Sequence, residues 1–138
     1  MKKKKTTITA ELAAGSTASP FFYEVTINHK LCQRTCAEDG ALFAPTYAYV
    51  STQNVGTDQY LITLQVTGVI HYTPCGASQC CVKAETISEE FTVPYYSATA
   101  PTSVVVAQGA TTNNVVTEPC KDCSDEFVSI TPITITIA

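Results

Sequence analysis

The sequence has few of the residues on which catalysis and nucleic-acid binding depend. Only 14% of its 138 residues are charged, and it contains two histidines and no tryptophan. The charged share is well below the roughly 25% of an ordinary soluble domain, so few side chains are available for acid–base chemistry. The chain also has no nucleophile elbow, phosphate-binding glycine loop, HExxH motif or recognisable Ser–His–acid set. We predict that this protein is not an enzyme.

Long apolar segments are missing as well. No segment reaches the roughly 18 apolar residues that a membrane-spanning helix requires, so we predict no membrane span. A secretion signal is not expected either, because the polar stretch TTITAELAAGSTAS follows the basic start, where an apolar segment would be needed. We therefore expect synthesis in the cytoplasm without a cleaved signal.

Helical patterns are scarce, whereas β-forming residues are abundant. The chain contains 22 threonines besides many Val, Ile and Tyr, whose branched or aromatic side chains fit a pleated sheet. Apolar and polar side chains alternate with the period of a strand, most clearly over 21–31 and over 60–72, which we predict to be the central strand. Gly68 interrupts the apolar face of the second run and predicts a bulge or a close approach. The predicted strands are 8–12, 21–31, 46–51, 60–72, 81–93, 103–108, 113–118 and 126–138.

Short strands separated by regular turn signals indicate one all-β domain. We predict a single-domain antiparallel β-sandwich, jelly-roll or Ig-like, with seven to eight strands and an extended N-terminal arm. A small barrel is the alternative. In this prediction residues 1–12 form a basic arm or strand, and residues 13–138 form the sandwich.

Positive charge is concentrated at the start of the chain. The run KKKK supplies four of the eight basic residues, so without its four charges the net charge of −4 becomes −8. The run fits a solubilising tail, a nucleic-acid arm, or an arm that binds the acidic body of a neighbouring copy and adds the strand TTITAEL to its sheet. Lysines without arginine or aromatic residues read bases poorly, so sequence-specific nucleic-acid binding is not predicted. The predicted assembly contacts in this segment are Lys2, Lys3, Lys4, Lys5, Ile8 and Leu12.

The chain ends in the alternating run ITITIA, which follows Pro132. Proline lacks the N–H of a strand ladder, so an edge position or a bulge is expected there. Ile133, Ile135 and Ile137 share one face, which either packs on the protein's own core or is shared with a neighbouring subunit. In the second interpretation these isoleucines are further assembly contacts.

Seven cysteines fall in three clusters, CQRTC, CGASQCC and CKDC, all at strand ends or in turns. This placement differs from that of buried apolar cysteines and predicts cross-links or a metal site. If successive strands run up and down, the strands before Cys32 and Cys75 end at the same pole, where their clusters would converge. Disulfide bonds, a structural zinc ion and free thiols all remain open. The zinc candidates are Cys32, Cys36, Cys75, Cys80, Cys120 and Cys123, and the disulfide candidates are these six and Cys81.

The remaining ionisable residues are interpreted as structural. His29 and His71 are predicted to lie on strand faces, although either would be able to replace a thiolate at a zinc site. The acidic residues Glu89, Glu90, Asp122, Asp125 and Glu126 are interpreted as solvated turn or edge residues.

These features together predict a self-assembling structural subunit whose partners are copies of itself and other structural proteins. A bacteriophage virion component (capsid decoration, ring or tail module) is the first interpretation, and a cysteine-linked surface or spore appendage fibre is the second. Its final location would then be a virion or an extracellular assembly. The alternative class is a binding module that recognises a protein or glycan through its cysteine-bearing loops, zinc-ordered in one version. A thiol redox protein is a third.

Overall fold

The computed structural model describes residues 6–31, 41–72, 83–116 and 125–138, and every regular element in these ranges is a β-strand. The predicted all-β class is therefore confirmed. The strands are β1 (Thr6–Leu12), β2 (Phe21–Lys30), β3 (Ala41–Phe43), β4 (Thr46–Gly56), β5 (Gln59–Tyr72), β6 (Lys83–Tyr96), β7 (Val104–Gln108), β8 (Thr112–Val116) and β9 (Glu126–Ile137).

The strands form two antiparallel sheets. In the first sheet, β9 lies between β2 and the pair β7 and β8, and β1 lies outside β2. In the second sheet, β5 lies between β6 and the pair β3 and β4. β7 and β8 pair with successive parts of β9, and β3 and β4 pair with successive parts of β5. Each of these two pairs of strands therefore fills a single strand position in its sheet. The predicted antiparallel β-sandwich is confirmed.

The core lies between the sheets and consists of the faces that the alternation predicts. β2 buries Tyr23, Val25 and Ile27, and β5 is paired on both sides, as predicted for the central strand. Periodicity misses β3, because three residues are too few to show a period. The side chains with no exposed surface in this core are Val25, Ile27, Ile62, Leu64, Val66, Ile70, Phe127 and Ile135.

β9 is an interior strand, so the predicted edge position of Pro132 is wrong. The predicted irregularity is present, but it lies in the neighbouring strand, where residues 109–111 between β7 and β8 are opposite residues 131–132. Gly109 N–H donates to the carbonyl of Pro132 at 2.8 Å. Because the nitrogen and carbonyl of a strand residue face the same neighbour, the proline ring faces this break in the ladder.

The C-terminal isoleucines line the protein's own core. Ile133 and Ile135 are at most 2% exposed, and Ile137 is 9% exposed. The packing interpretation of this run is therefore confirmed for the single chain. A role of these residues between subunits stays a prediction.

The sandwich includes residues 6–12, which the sequence assigns to the arm. β1 pairs with β2 over its whole length, and Ile8 and Ala10 pack against the core. Leu12 is 43% exposed at the end of the strand. Of the basic segment, only residues 1–5, with all four arm lysines, lie outside the described residues.

Gly68 confirms the predicted close approach. A Cβ atom on Gly68 would lie 2.5 Å from Cε1 of Phe43 and 3.0 Å from its Cζ. The Phe43 ring packs edge to face on Phe127 with centroids 5.5 Å apart, and Phe43 is 5% exposed. A buried ring that also packs on a second ring has little room to move.

We expect Gly68→Ala to lower the free energy of unfolding by about 1–3 kcal/mol, because the added methyl group must displace the Phe43 ring. Urea denaturation monitored by circular dichroism measures the loss. Gly56→Ala is the control, because a Cβ there meets the side chain of the exposed Gln59, and we expect a change within about 0.5 kcal/mol. Equal unfolding midpoints for the two variants would contradict the close approach.

Candidate functional site

Three connections leave the sandwich at one end, here called the connection end. In the first sheet, β2 and β8 both end opposite Glu126, the first residue of β9. In the second sheet, β3 and β6 both begin opposite Tyr72, the last residue of β5. A contact of 2.9 Å between His29 Nε2 and Glu85 Oε1 joins β2 to β6 and shows that the two sheet ends coincide.

All seven cysteines belong to the connections 32–40, 73–82 and 117–124, which lie outside the described residues. The expectation that the strands before Cys32 and Cys75 end at the same pole is confirmed, and β8, which precedes Cys120, ends there too. Disulfide bonds and a zinc site stay predictions. Within the described ranges, no three His, Cys, Asp or Glu side chains lie together as a metal site requires.

A buried polar network crosses between the sheets at the connection end. His29 is 5% exposed, and its Nε2 contacts one carboxylate oxygen of Glu85 at 2.9 Å. Tyr72 donates its hydroxyl hydrogen to the other oxygen. The Thr6 hydroxyl lies 2.7 Å from His29 Nδ1, and in the neutral ring it donates there when Nε2–H donates to Glu85. The network therefore ties β1 and β2 to β5 and β6.

Both histidines lie on strand faces, as predicted, whereas one acidic residue departs from its interpretation and Asp122 lies outside the described residues. His29 lies inside the sandwich with both ring nitrogens contacted, whereas His71 is exposed on the outer face of β5. Asp125 is 2% exposed, so its interpretation as a solvated residue is wrong. Its backbone carbonyl accepts a hydrogen bond from Leu31 N–H at 3.0 Å, which draws the start of β9 into the core.

One lateral side of the sandwich is closed by side-chain hydrogen bonds. Gln108 of β7 accepts from Tyr47 N–H at 3.0 Å and donates to the carbonyl of Pro45 at 2.8 Å. Asn113 of β8 donates to the carbonyl of Phe43 at 2.9 Å. These amides bridge the edges of the two sheets, so this side offers little free main chain.

The other lateral side is open. β1 and β6 are the edge strands there, and in the described part of the chain each has a single ladder partner, β2 and β5 respectively. A cleft of 240 Å³ lies between them, lined by Thr6, Thr7, Ile8, Glu89, Glu90 and Phe91. Glu90 is exposed and Glu89 half-buried, which confirms the interpretation of this pair as edge residues.

An aromatic cleft of 330 Å³ lies at the end of the sandwich opposite the connections. The ring of Phe21 packs edge to face on Tyr95 with centroids 5.9 Å apart. Burial raises the pKa of the Tyr23 hydroxyl above its usual value of 10.0. Tyr96 is 69% exposed at the mouth of the cleft.

Comparison with known protein families, with curated proteins and with solved structures finds no match to this chain. The sites are therefore interpreted from their own residues. Within the ranges that the structure describes, no helix is long and apolar enough to cross a membrane.

The structure brings together residues that lie far apart in the sequence. The buried polar network joins side chains from four strands: Thr6, His29, Tyr72 and Glu85. No local sequence motif predicts their contact. The alternation predicts that His29 lies on the inner face of β2, which is the only local signal of the network. Ile8 and Leu12, predicted as assembly contacts, both lie on β1 along the open side.

Proposed function

We propose that this protein is a non-enzymatic structural subunit that associates with copies of itself, and with other structural proteins, in an ordered assembly. The open side carries the proposal. β6 presents 14 residues along an edge that has no ladder partner among the described residues, and β1 runs beside it. An exposed strand edge offers main-chain donors and acceptors to a strand from another chain.

Surface composition also supports association. Large apolar side chains are exposed on different faces, among them Leu42 at 72%, Tyr96 at 69% and Val105 at 59%. With 14% charged residues, the chain has few charges to keep such surfaces apart. Neutral faces of this kind suit subunit contacts better than they suit a highly soluble monomer.

For the kind of assembly we propose a bacteriophage virion component, such as a capsid decoration, ring or tail module. A cysteine-linked surface or spore appendage fibre is the second version of the same class. In both, a rigid sandwich serves as the repeating unit and short segments reach neighbouring copies. The choice between them rests on analogy of architecture.

A binding module is the second candidate function, and the connection end favours it. Three connections leave the sandwich side by side, as the recognition loops of many β-sandwich proteins do. Such a module would recognise a protein or glycan through the cysteine-bearing connections and would work as a monomer. Removal of residues 1–5 would then leave its activity unchanged.

Light scattering after size exclusion, over a range of concentrations, tests the first candidate. We expect oligomers from the full chain and a large loss of them in a chain that begins at Thr6 after an initiating methionine. Residues 6–12 are retained because their removal would strip β2 of its neighbour. Parallel runs with a thiol reductant separate disulfide-linked from non-covalent oligomers.

A full chain that stays at its monomer mass of 14.8 kDa at every concentration would overturn self-assembly. Oligomers of equal size from both chains would place the contacts outside residues 1–5. Only a full chain that stays monomeric would favour the binding module over the structural subunit.

A further inference from the structure

The edge of β6 carries two acidic residues next to each other, Glu89 and Glu90. Because successive side chains of a strand point to opposite faces, this pair places one carboxylate on each face of the same edge. Glu89 is half-buried beside the cleft to β1, and Glu90 is exposed. Among the side chains that the structure describes, no ion pair involves either of them.

A strand that joined this edge would meet both carboxylates only if it carried charges on both of its faces. An alternating sequence would place its basic residues on one face and satisfy one glutamate. In a run of consecutive lysines the side chains alternate between the two faces, so any two neighbouring lysines place an ammonium group on each face. The chain contains one such run, Lys2–Lys5, which holds half of its basic residues.

The cleft beside the pair adds an apolar floor. Phe91 and Ile8 line it, and both are half-buried. Lysine side chains cover apolar surface with their methylene groups while their ammonium groups stay at the rim. The cleft therefore matches both parts of a lysine side chain.

The run Lys2–Lys5 is poorly placed to enter the cleft between β1 and β6 of its own chain. Thr6, the first residue of β1, already lines the cleft, so residues 1–5 would have to reverse direction at once to enter it. MKKKK contains no Gly, Pro, Asn or Asp, the residues that form tight turns. The run from another copy enters without a reversal.

We propose that the β6 edge at Glu89 and Glu90 is the acceptor for Lys2–Lys5 of a second copy of this chain. This inference rests on the proposed self-assembly and identifies the surface that carries it. Backbone pairing aligns the incoming strand, and the two carboxylates select a basic one. Since each exposed ion pair is weak and screened by salt, the contact depends on ionic strength and on many copies acting together.

The test compares full chains with Glu89 and Glu90 both changed to Gln and full chains with Glu11 and Glu24 both changed to Gln. The control pair is also acidic and adjacent, because Glu11 and Glu24 lie opposite each other in the β1–β2 register. Both double variants alter the net charge equally. By sedimentation velocity at low salt, we expect the association constant to fall at least tenfold for the first variant and less than threefold for the control.

Charge reversal adds a test of the pairing itself. A chain with Lys2–Lys5 changed to Glu, and a chain with E89K and E90K, should each associate poorly alone. Their equimolar mixture should regain association, because each arm then meets an acceptor of opposite charge. Circular dichroism melting curves that match the parent chain establish that all variants fold.

Three results would overturn the inference. Stronger association of the E89Q, E90Q variant would mean that the glutamates guard the edge against pairing. A loss equal to that of the control, with the parent still associating, would place the acceptor elsewhere and leave the proposed function intact. A parent chain that is monomeric at every concentration would overturn the acceptor and the proposed function together.

Discussion

Replacing Glu85 by alanine is expected to lower the free energy of unfolding by about 2–6 kcal/mol, because it leaves the buried polar groups of His29 and Tyr72 without their acceptor, at about 1–3 kcal/mol each. The Glu85 side chain is 10% exposed and the His29 side chain 7% exposed. The substitution removes the group that His29 Nε2 contacts at 2.9 Å and that also accepts from Tyr72. A buried polar group that loses its acceptor carries the cost of its own desolvation. Urea denaturation at neutral pH measures the change.

Two controls separate the network from a general effect of changes in β6. Glu85→Gln keeps the shape and a hydrogen-bonding oxygen, and we expect it to cost about 1–2 kcal/mol. Thr86→Ala changes the next residue, which is exposed on the other face, and should stay within about 0.5 kcal/mol. A Glu85→Ala variant as stable as Thr86→Ala would show that the network contributes nothing to stability.

Phe127→Ala is the second substitution with a large expected effect, about 3–5 kcal/mol of unfolding free energy. Phe127 has no exposed surface, and its ring packs edge to face on Phe43, whose ring also lies against Gly68. Removal of the ring leaves a cavity between the sheets and ends the aromatic contact. Denaturation of Phe127→Ala, measured with Phe43→Leu and with both changes together, yields the coupling between the rings.

We expect Phe127→Leu to recover more than half of the loss, because leucine fills much of the cavity. Val105→Ala is the surface control, since Val105 is 59% exposed, and its change should stay within about 0.5 kcal/mol. Additive effects of the Phe43 and Phe127 changes would indicate that the two rings do not stabilise each other.

Alternation alone predicts the inner faces of β2 and β5. Over 21–31 and 60–72 the apolar side chains recur at every second residue, and most of them are buried in the structure. A period of two is a local property of the backbone, so it is readable without knowledge of the partner strands. The same reasoning identifies Gly68 as the place of a bulge or a close approach, but it does not choose between them or name Phe43 as the neighbour.

The position of β9 shows where local reasoning ends. Pro132 argues for an edge or a bulge, yet β9 is interior, and the irregularity that accommodates the proline lies in the neighbouring strand, between β7 and β8. Strand order depends on which edges meet after folding, and this is a non-local property. The same holds for β1, whose lysine-led sequence resembles an arm although residues 6–12 complete the first sheet.

The sequence by itself determined the all-β class, the inward faces of the long strands and the uneven charge, because each is a local pattern or a sum over residues. Only the tertiary structure decided that the connection 117–124 starts from the same end as the other two, that His29 meets Glu85, and that one edge of β6 has no ladder partner among the described residues. These features join residues that are distant in sequence. They are set by how two sheets pack and pair, which no short window of the chain encodes.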